Sequence, residues 1–190
     1  SLNLKDNNGK ALTLDKDGNG SFKDYIKTLI IASAQKAIDN GTDLSKMNFI
    51  SIKSGKVVDL DLDKYYAFVG RMKVTPAFDG VDLSNGENDL FGTADKATQH
   101  FTAYSKANST VNGTMADSQI IKMMNPLNYI DTKGTTTAKN WRIRHGAIDV
   151  DTSVSVSATL ATTLQNKGYI VNYFVPWGVP HSGDYDLNEL

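Results

Sequence analysis

Two side chains with complementary chemistry follow the last two predicted strands of this 190-residue chain. Asp149 comes after the predicted strand at residues 141–146, and His181 comes after the predicted strand at residues 169–176. Residues 152–166, between the strands, have the apolar spacing of a helix, and a strand–helix–strand unit usually places its two strands in parallel. Because functional residues of open parallel sheets gather beyond the carboxyl ends of the strands, we expect the aspartate and the histidine to meet there.

An aspartate that holds a histidine in one tautomer is the orienting half of a Ser-His-Asp catalytic triad. The residues also fit a purely structural interpretation, in which Asp149 or Asp151 caps the helix that starts at Thr152 and His181 lies in a turn. Both interpretations stay open on residue types and spacing alone.

Composition narrows the classes of function. The chain has 20 Lys and Arg against 21 Asp and Glu, without a basic stripe, which argues against nucleic-acid and anionic-membrane partners. It has no cysteine, so disulfide frameworks, cysteine-based zinc sites and thiol nucleophiles are excluded. The longest apolar run, residues 29–32, is far shorter than the ~20 residues of a membrane span. We expect a soluble protein, and the sequence leaves a bacterial cytoplasmic and a secreted location equally open.

The elements that must position the acid and the base are preceded by a segment that is predicted to be mostly helical. The predicted elements are a helix over residues 22–39, a hairpin of residues 48–53 and 56–60, helices over residues 62–72, 94–107 and 117–124, and a loop over residues 75–92.

A polar segment precedes the first predicted helix. Residues 15–21 resemble the first half of a calcium-binding loop, but Ile26 stands at the twelfth position, where such a loop needs a bidentate acid. The segment instead predicts a turn in which Ser21 caps the helix, with Asp24 in the capping-box position. No metal ion and no cofactor are expected.

Three segments carry a resemblance to a known family: residues 124–130 (MNPLNYI), 141–152 (WRIRHGAIDVDT) and 176–187 (PWGVPHSGDYDL). They resemble the C-terminal third of bacterial tannases and tannase-like esterases, which are α/β-hydrolases with a large lid inserted into the sheet. The resemblance implies an α/β fold class: a partial α/β-hydrolase fold, made of the last two parallel strands and their crossover helix, after a mainly helical lid portion. The implied division is a lid or insertion portion over residues 1–115 and an incomplete C-terminal part of the hydrolase core over residues 116–190.

The same resemblance implies roles for five residues. Asp149 and His181 align with the acid and the base of the triad, and Lys73, Glu87 and Asp151 align with three residues that bind the hydroxyls of a galloyl ring. Carboxylates accept hydrogen bonds from phenolic hydroxyls, and a lysine donates to a phenolic oxygen. The structural alternatives are a solvated helix end for the lysine, a loop acid for the glutamate and a helix cap for Asp151.

The chain departs from the family pattern because it lacks a nucleophile elbow. An α/β-hydrolase carries its serine in a G-x-S-x-G pentapeptide, which does not occur in these 190 residues. We therefore expect the chain to be part of a lid plus the last two strands of a larger enzyme, inactive by itself. The missing N-terminal polypeptide, or another copy of the chain, is expected to complete the two-stranded sheet.

The favoured interpretation is a C-terminal fragment of a serine carboxylic-ester hydrolase that acts on gallate or related phenolic esters. A feruloyl or simpler aryl esterase of the same fold, a serine peptidase of that fold and a non-catalytic, lid-like binding module are the alternatives. A G-x-S-x-G motif upstream of residue 1 would exclude the binding module.

Overall fold

The computed structural model describes residues 2–70, 72 and 76–189, which fall into two compact units. The first unit is Ser1–Gly70 with Ala138–Leu190, and the second is Arg71–Thr137. This division differs from the expected boundary at residue 115, because the N-terminal 70 residues cluster with the C-terminal segment. The assignment of lid and core portions stays a prediction.

Helices and short strands alternate along the chain, so the content is mixed, with two small sheets among the described residues. No helix of the described part is long and apolar enough to cross a membrane. In chain order the elements are α1 (Ser21–Asp39), β1 (Ile50–Lys53), β2 (Lys56–Leu60), α2 (Leu62–Val69), α3 (Gly86–Leu90), α4 (Ala103–Ala107), α5 (Ser118–Met124), a 3₁₀ turn (Pro126–Asn128), β3 (Asn140–Arg144), α6 (Val154–Asn166), β4 (Ile170–Phe174) and a 3₁₀ turn (Leu187–Glu189).

The helix α1 forms as its apolar spacing predicts, but its N-terminus differs from the prediction. Ser21 is the first residue of the helix and Gly20 is the N-cap. The Ser21 hydroxyl instead donates to the Ala11 carbonyl (3.0 Å) and accepts from the Thr13 amide (2.9 Å). A side chain at Gly20 would overlap the Thr13 carbonyl, and its φ of +139° also favours glycine. The predicted serine cap is therefore wrong, because the preceding segment occupies the hydroxyl.

The first unit buries one face of α1 against the hairpin and the neighbouring helices. β1 and β2 form an antiparallel hairpin. Its two turn residues, Ser54 and Gly55, both have positive φ, as a type I′ turn requires. Each large apolar side chain buried in the core contributes about 1.5–3 kcal/mol. The buried cluster consists of Ile26, Ile30, Phe49, Leu60, Leu62, Tyr65, Ala147, Val154, Ala158 and Val175.

The strand–helix–strand unit predicted near the C-terminus is confirmed. β3 and β4 are parallel, with Asn140 opposite Ile170 and Arg144 opposite Phe174, and α6 connects them. The helix begins at Val154. The carboxyl ends of both strands therefore lie at the same edge of the sheet.

The second unit has less regular structure than predicted. The helix expected at residues 94–107 covers Ala103–Ala107 alone, and α3 forms inside the predicted loop at residues 75–92. The His100 amide donates to the Thr114 carbonyl (2.9 Å), and the His100 carbonyl accepts from the Ala116 amide (2.8 Å), so this residue pairs with a distant segment. This non-local pairing replaces the helical hydrogen bonds that the local pattern favours.

Candidate active site

Asp149 and His181 meet at the edge where β3 and β4 end. His181 Nδ1 lies 3.0 Å from Asp149 Oδ2, so the predicted contact is present. The Asp149 side chain is 6% exposed, whereas that of His181 is 51% exposed. The acid is thus shielded from water while the imidazole reaches the surface of the first unit.

The Asp149 carboxylate is held by donors on both of its oxygens. Oδ1 accepts from the amides of Asp151 and Thr152, both at 2.8 Å, and Oδ2 faces His181. Burial raises the pKa of Asp149, but hydrogen bonds from the Thr152 amide, His181 and the Asp151 amide, together with the nearby His145, outweigh burial and lower the pKa below its ordinary value. An ionised carboxylate accepts a hydrogen bond from the N–H at Nδ1, which leaves Nε2 of the histidine as the acceptor.

The loops that carry the acid and the base are joined through their backbones. The Ala147 amide donates to the Pro176 carbonyl (2.9 Å), and the Ile148 amide donates to the Val179 carbonyl (3.0 Å). A side chain at Gly146 would overlap the Val179 carbonyl, so glycine permits this close approach. Short local turns and these cross-loop bonds together fix the separation of acid and base.

Asp151 lies beside the other nitrogen of the imidazole. Its Oδ2 is 3.8 Å from Nε2 of His181, and its side chain is 18% exposed. Ser153 is the N-cap of α6, with its hydroxyl accepting from the Ser155 amide, so neither aspartate caps that helix. Asp149 instead organises the turn before the helix through two backbone amides.

The other two predicted ligand residues are placed differently. Glu87 lies in the first turn of α3 in the second unit and is partly buried. Asp151 belongs to the first unit, and Lys73 lies outside the described residues. The predicted convergence of the three on one substrate stays a prediction.

Two residues beside the acid were not identified from the sequence. His145 Nε2 is 3.6 Å from Asp149 Oδ2, and Tyr65 donates from its hydroxyl to the Ala147 carbonyl at 2.5 Å. The spacing of four residues between His145 and Asp149, across the end of a strand, is a signal that could have indicated the first contact. The second contact spans 82 residues and has no local signature.

The pair can accept a proton at His181 Nε2 and stabilise the resulting imidazolium with the buried Asp149 carboxylate. Within residues 2–70, 72 and 76–189, no group of three or more His, Asp or Glu side chains is arranged to hold a metal ion. The contact between the His181 imidazole and the Asp149 carboxylate has the geometry of the base and the acid of a triad.

Solved structures of bacterial tannases match the chain in both sequence and fold. The tannase from Lactobacillus plantarum is 46% identical to this chain over 99% of the chain's length, with a TM-score of 0.93. The predicted resemblance to bacterial tannases is confirmed. The tannase from Fusobacterium nucleatum is 49% identical over 99% of the chain, with a TM-score of 0.87.

A third tannase structure, described as tannin acyl hydrolase in complex with ethyl gallate, is 46% identical over 99% of the chain, with a TM-score of 0.91. The chain spans only 40% of the L. plantarum protein and 41% of each of the other two. No protein-family profile and no curated protein matches it.

Proposed function

We propose that the enzyme containing this chain is a serine carboxylic-ester hydrolase of the tannase type that cleaves gallate or related phenolic esters. The observation that carries the proposal is the 3.0 Å contact between His181 Nδ1 and a buried Asp149 whose pKa is lowered. The similarity to tannases, one of which was solved with ethyl gallate, supports the substrate class. The β3–α6–β4 unit is then the C-terminal part of an α/β-hydrolase core, preceded by a lid portion.

In this proposal the nucleophilic serine and the oxyanion hole come from the rest of the enzyme. His181 Nε2 takes the proton from the serine hydroxyl as the oxygen attacks the ester carbonyl, and it then gives that proton to the leaving alcohol. Asp149 stabilises the imidazolium that exists between the two transfers. Water then attacks the acyl-enzyme while the same histidine takes its proton. The acyl–serine bond breaks, the histidine returns the proton to the serine oxygen, and the phenolic acid is released.

Substrate selection is assigned to Lys73, Glu87 and Asp151. The carboxylates accept hydrogen bonds from ring hydroxyls, and the lysine donates to a phenolic oxygen. A substrate without those hydroxyls leaves polar groups of the site unpaired, which penalises it. The 3.8 Å approach of Asp151 to His181 Nε2 supports a position for this residue next to the reacting ester.

The decisive experiment compares a gallate ester with the corresponding benzoate ester in the intact enzyme. Glu87→Ala or Asp151→Asn should lower kcat/KM for the gallate ester by roughly 10–1000-fold, a loss of ~1.4–4 kcal/mol per contact. The benzoate ester should lose much less, because it lacks the hydroxyls, and His181→Ala should abolish both activities. Asp89→Ala, which changes an exposed acid on the same helix as Glu87, is the matched control and should change neither.

Equal losses on the two esters in the Glu87 and Asp151 variants would show that these residues are structural. The assignment would then be reduced to an unspecified esterase. Unchanged ester hydrolysis in His181→Ala would refute the proposed serine-hydrolase mechanism, because that mechanism needs His181 as the base.

The two-stranded sheet supports a further part of the proposal. β3 and β4 pair with each other in a sheet of two strands among the described residues. A parallel pair with exposed edges is not expected to be stable alone, so we propose that the N-terminal part of the enzyme, or another copy, completes it. Sedimentation of the chain alone as a well-folded monomer with a two-stranded sheet would contradict this.

A further inference from the structure

A single peptide group, between Ala147 and Ile148, is hydrogen-bonded on both of its sides. Its N–H, on Ile148, donates to the Val179 carbonyl at 3.0 Å, two residues before His181. Its carbonyl, on Ala147, accepts from the Tyr65 hydroxyl at 2.5 Å. The plane of this peptide is therefore fixed between the tyrosine and the loop that carries the base.

The same peptide group immediately precedes the acid. Asp149 is the next residue in the chain, and its own amide donates to the Gly146 carbonyl at 3.1 Å, which closes the turn around the fixed peptide. A rotation of the peptide plane would therefore move the acid and would also break the bond to the loop of the base.

Tyr65 is suited to hold this peptide because it is itself immobilised. It lies on α2, is 2% exposed, and packs edge-on against Phe49 with ring centroids 6.1 Å apart. Its ring also lies 6.4 Å from that of Trp177, which follows β4 on the loop of the base. Burial raises the pKa of Tyr65, so its hydroxyl stays protonated and remains a donor to Ala147.

We propose that Tyr65 is a positioning residue for the His181–Asp149 pair, acting through the Ala147 carbonyl. The proposal rests on the proposed function and adds a residue from a different part of the chain to the machinery. Without the hydroxyl, the buried carbonyl lacks its donor and the peptide must turn toward another partner. Catalytic geometry is sensitive to such movements, since a displacement of about 1 Å can lower a rate by about 100-fold.

Two other tyrosines of the same unit provide matched controls. Tyr66→Phe removes a hydroxyl from the neighbouring residue of α2, whose side chain is 41% exposed. Tyr173→Phe removes a hydroxyl that pairs with Ser157 Oγ at 3.0 Å. The first control tests the loss of a phenol as such, and the second tests the loss of a comparable internal hydrogen bond.

The experiment uses the intact enzyme and measures steady-state hydrolysis of gallate and benzoate esters. Tyr65→Phe should lower kcat for both esters by about 10- to 100-fold, with KM changed by less than about twofold, because substrate contacts are untouched. Tyr66→Phe and Tyr173→Phe should keep kcat within about twofold, although Tyr173→Phe should lower the melting temperature. A loss of kcat in Tyr173→Phe equal to that in Tyr65→Phe would show that Tyr65 supports stability alone and would overturn the proposal.

A second readout does not depend on activity. The proton on Nδ1 of His181, shared with Asp149, should give a downfield proton resonance that disappears in His181→Ala. Tyr65→Phe should shift or broaden this resonance, and the two control variants should not. If Tyr65→Phe is recovered unfolded, 3-fluorotyrosine at residue 65 keeps the ring and strengthens the donor, and the resonance should then move without loss of the fold.

The two proposals fail in distinguishable ways. If the wild-type enzyme hydrolyses no ester but Tyr65→Phe still changes the His181 resonance, the proposed function is wrong and the positioning contact stands. If the wild type hydrolyses gallate esters and Tyr65→Phe keeps both kcat and the resonance, the positioning role is overturned and the proposed function stands.

Discussion

Replacing Asp149 by asparagine should reverse the tautomer of His181. The amides of Asp151 and Thr152 both donate to Oδ1 at 2.8 Å. In Asp149→Asn the side-chain oxygen must take this position, because the NH₂ group would otherwise face two donors. The NH₂ group then occupies the position of Oδ2, 3.0 Å from Nδ1 of the histidine.

An NH₂ group in that position can only donate, so Nδ1 must accept and the ring proton must lie on Nε2. Nε2 then has no lone pair for the proton of the serine. A wrong tautomer in an otherwise intact triad lowers kcat by about 10⁴-fold, which corresponds to about 5.4 kcal/mol of transition-state stabilisation. The backbone bonds are kept, so the melting temperature of Asp149→Asn should stay close to that of the wild type.

The assay measures kcat for a gallate ester together with thermal melting. Asp149→Ala is the informative comparison, since it leaves the two amides unpaired and should lower the melting temperature while imposing no tautomer. Asp184→Asn changes an exposed acid three residues after His181 and should keep full activity. The predicted change of tautomer is refuted if Asp149→Asn keeps more than a tenth of wild-type kcat. It is also refuted if kcat falls as far in Asp184→Asn as in Asp149→Asn.

Four further outcomes are expected. The chain alone should show no turnover of galloyl or activated aryl esters, and turnover that disappears in His181→Ala without added polypeptide would contradict this. Asp79→Asn should destabilise the second unit by about 3 kcal/mol, because an oxygen that still serves the Phe101 and Thr102 amides turns the new NH₂ group toward the Asn88 Nδ2 donor at 2.8 Å; thermal melting measures the loss. The pKa of Asp79 is lowered because its hydrogen bonds outweigh the effect of burial, so its stabilisation is present above the unfolded-state pKa and is lost as pH falls through the folded-state pKa; acid unfolding followed in the wild type and in Asp79→Asn should show this difference. Ser109→Ala should leave kcat unchanged, since the hydroxyl of Ser109 donates to the Val111 carbonyl at 2.5 Å, and a loss of activity would refute a structural role.

The sequence predicted the elements whose periodicity is complete within one segment. Helix α1 has apolar residues at helical spacing over 19 residues, and the β3–α6–β4 unit has its glycine breaks in the predicted places. Helix α2 ends at Val69, earlier than predicted, because Gly70 takes a φ of +71° and its amide bonds to the Tyr66 carbonyl. Such ends depend on single residues and are less well determined by periodicity.

The second unit was predicted poorly because its order comes from buried polar side chains. Asp79 accepts from Asn88 Nδ2 and His100 Nδ1, both at 2.8 Å, and from the hydroxyl of Thr102 at 2.7 Å. These contacts join three segments without any apolar repeat. Hydrophobic spacing carries no information on them, so residues 94–102 were predicted as helix although they bond to distant partners.

For the candidate site, topology was sufficient to predict the meeting of Asp149 and His181, because parallel strands bring their carboxyl ends to one edge. It was not sufficient to find Tyr65, whose role depends on a single bond to Ala147 across 82 residues. The candidate acid and base could therefore be predicted from strand order. A candidate positioning residue could not, because its contact depends on packing between distant segments.

The His100–Asp79 contact and the His181–Asp149 contact differ in how far the imidazole is exposed, and this difference supports different roles for the two histidines. His100 Nδ1 lies 2.8 Å from Asp79, but the His100 side chain is 0% exposed and its Nε2 pairs with Ser109 Oγ at 2.8 Å. The Ser109–His100–Asp79 contacts resemble a complete triad. However, the Ser109 hydroxyl donates to the Val111 carbonyl, and the buried imidazole is inaccessible to a substrate. His181 has the same contact to an acid with half of its side chain exposed. Because a general base must reach both its nucleophile and a substrate, the exposed imidazole supports the proposal that His181, and not His100, is the base.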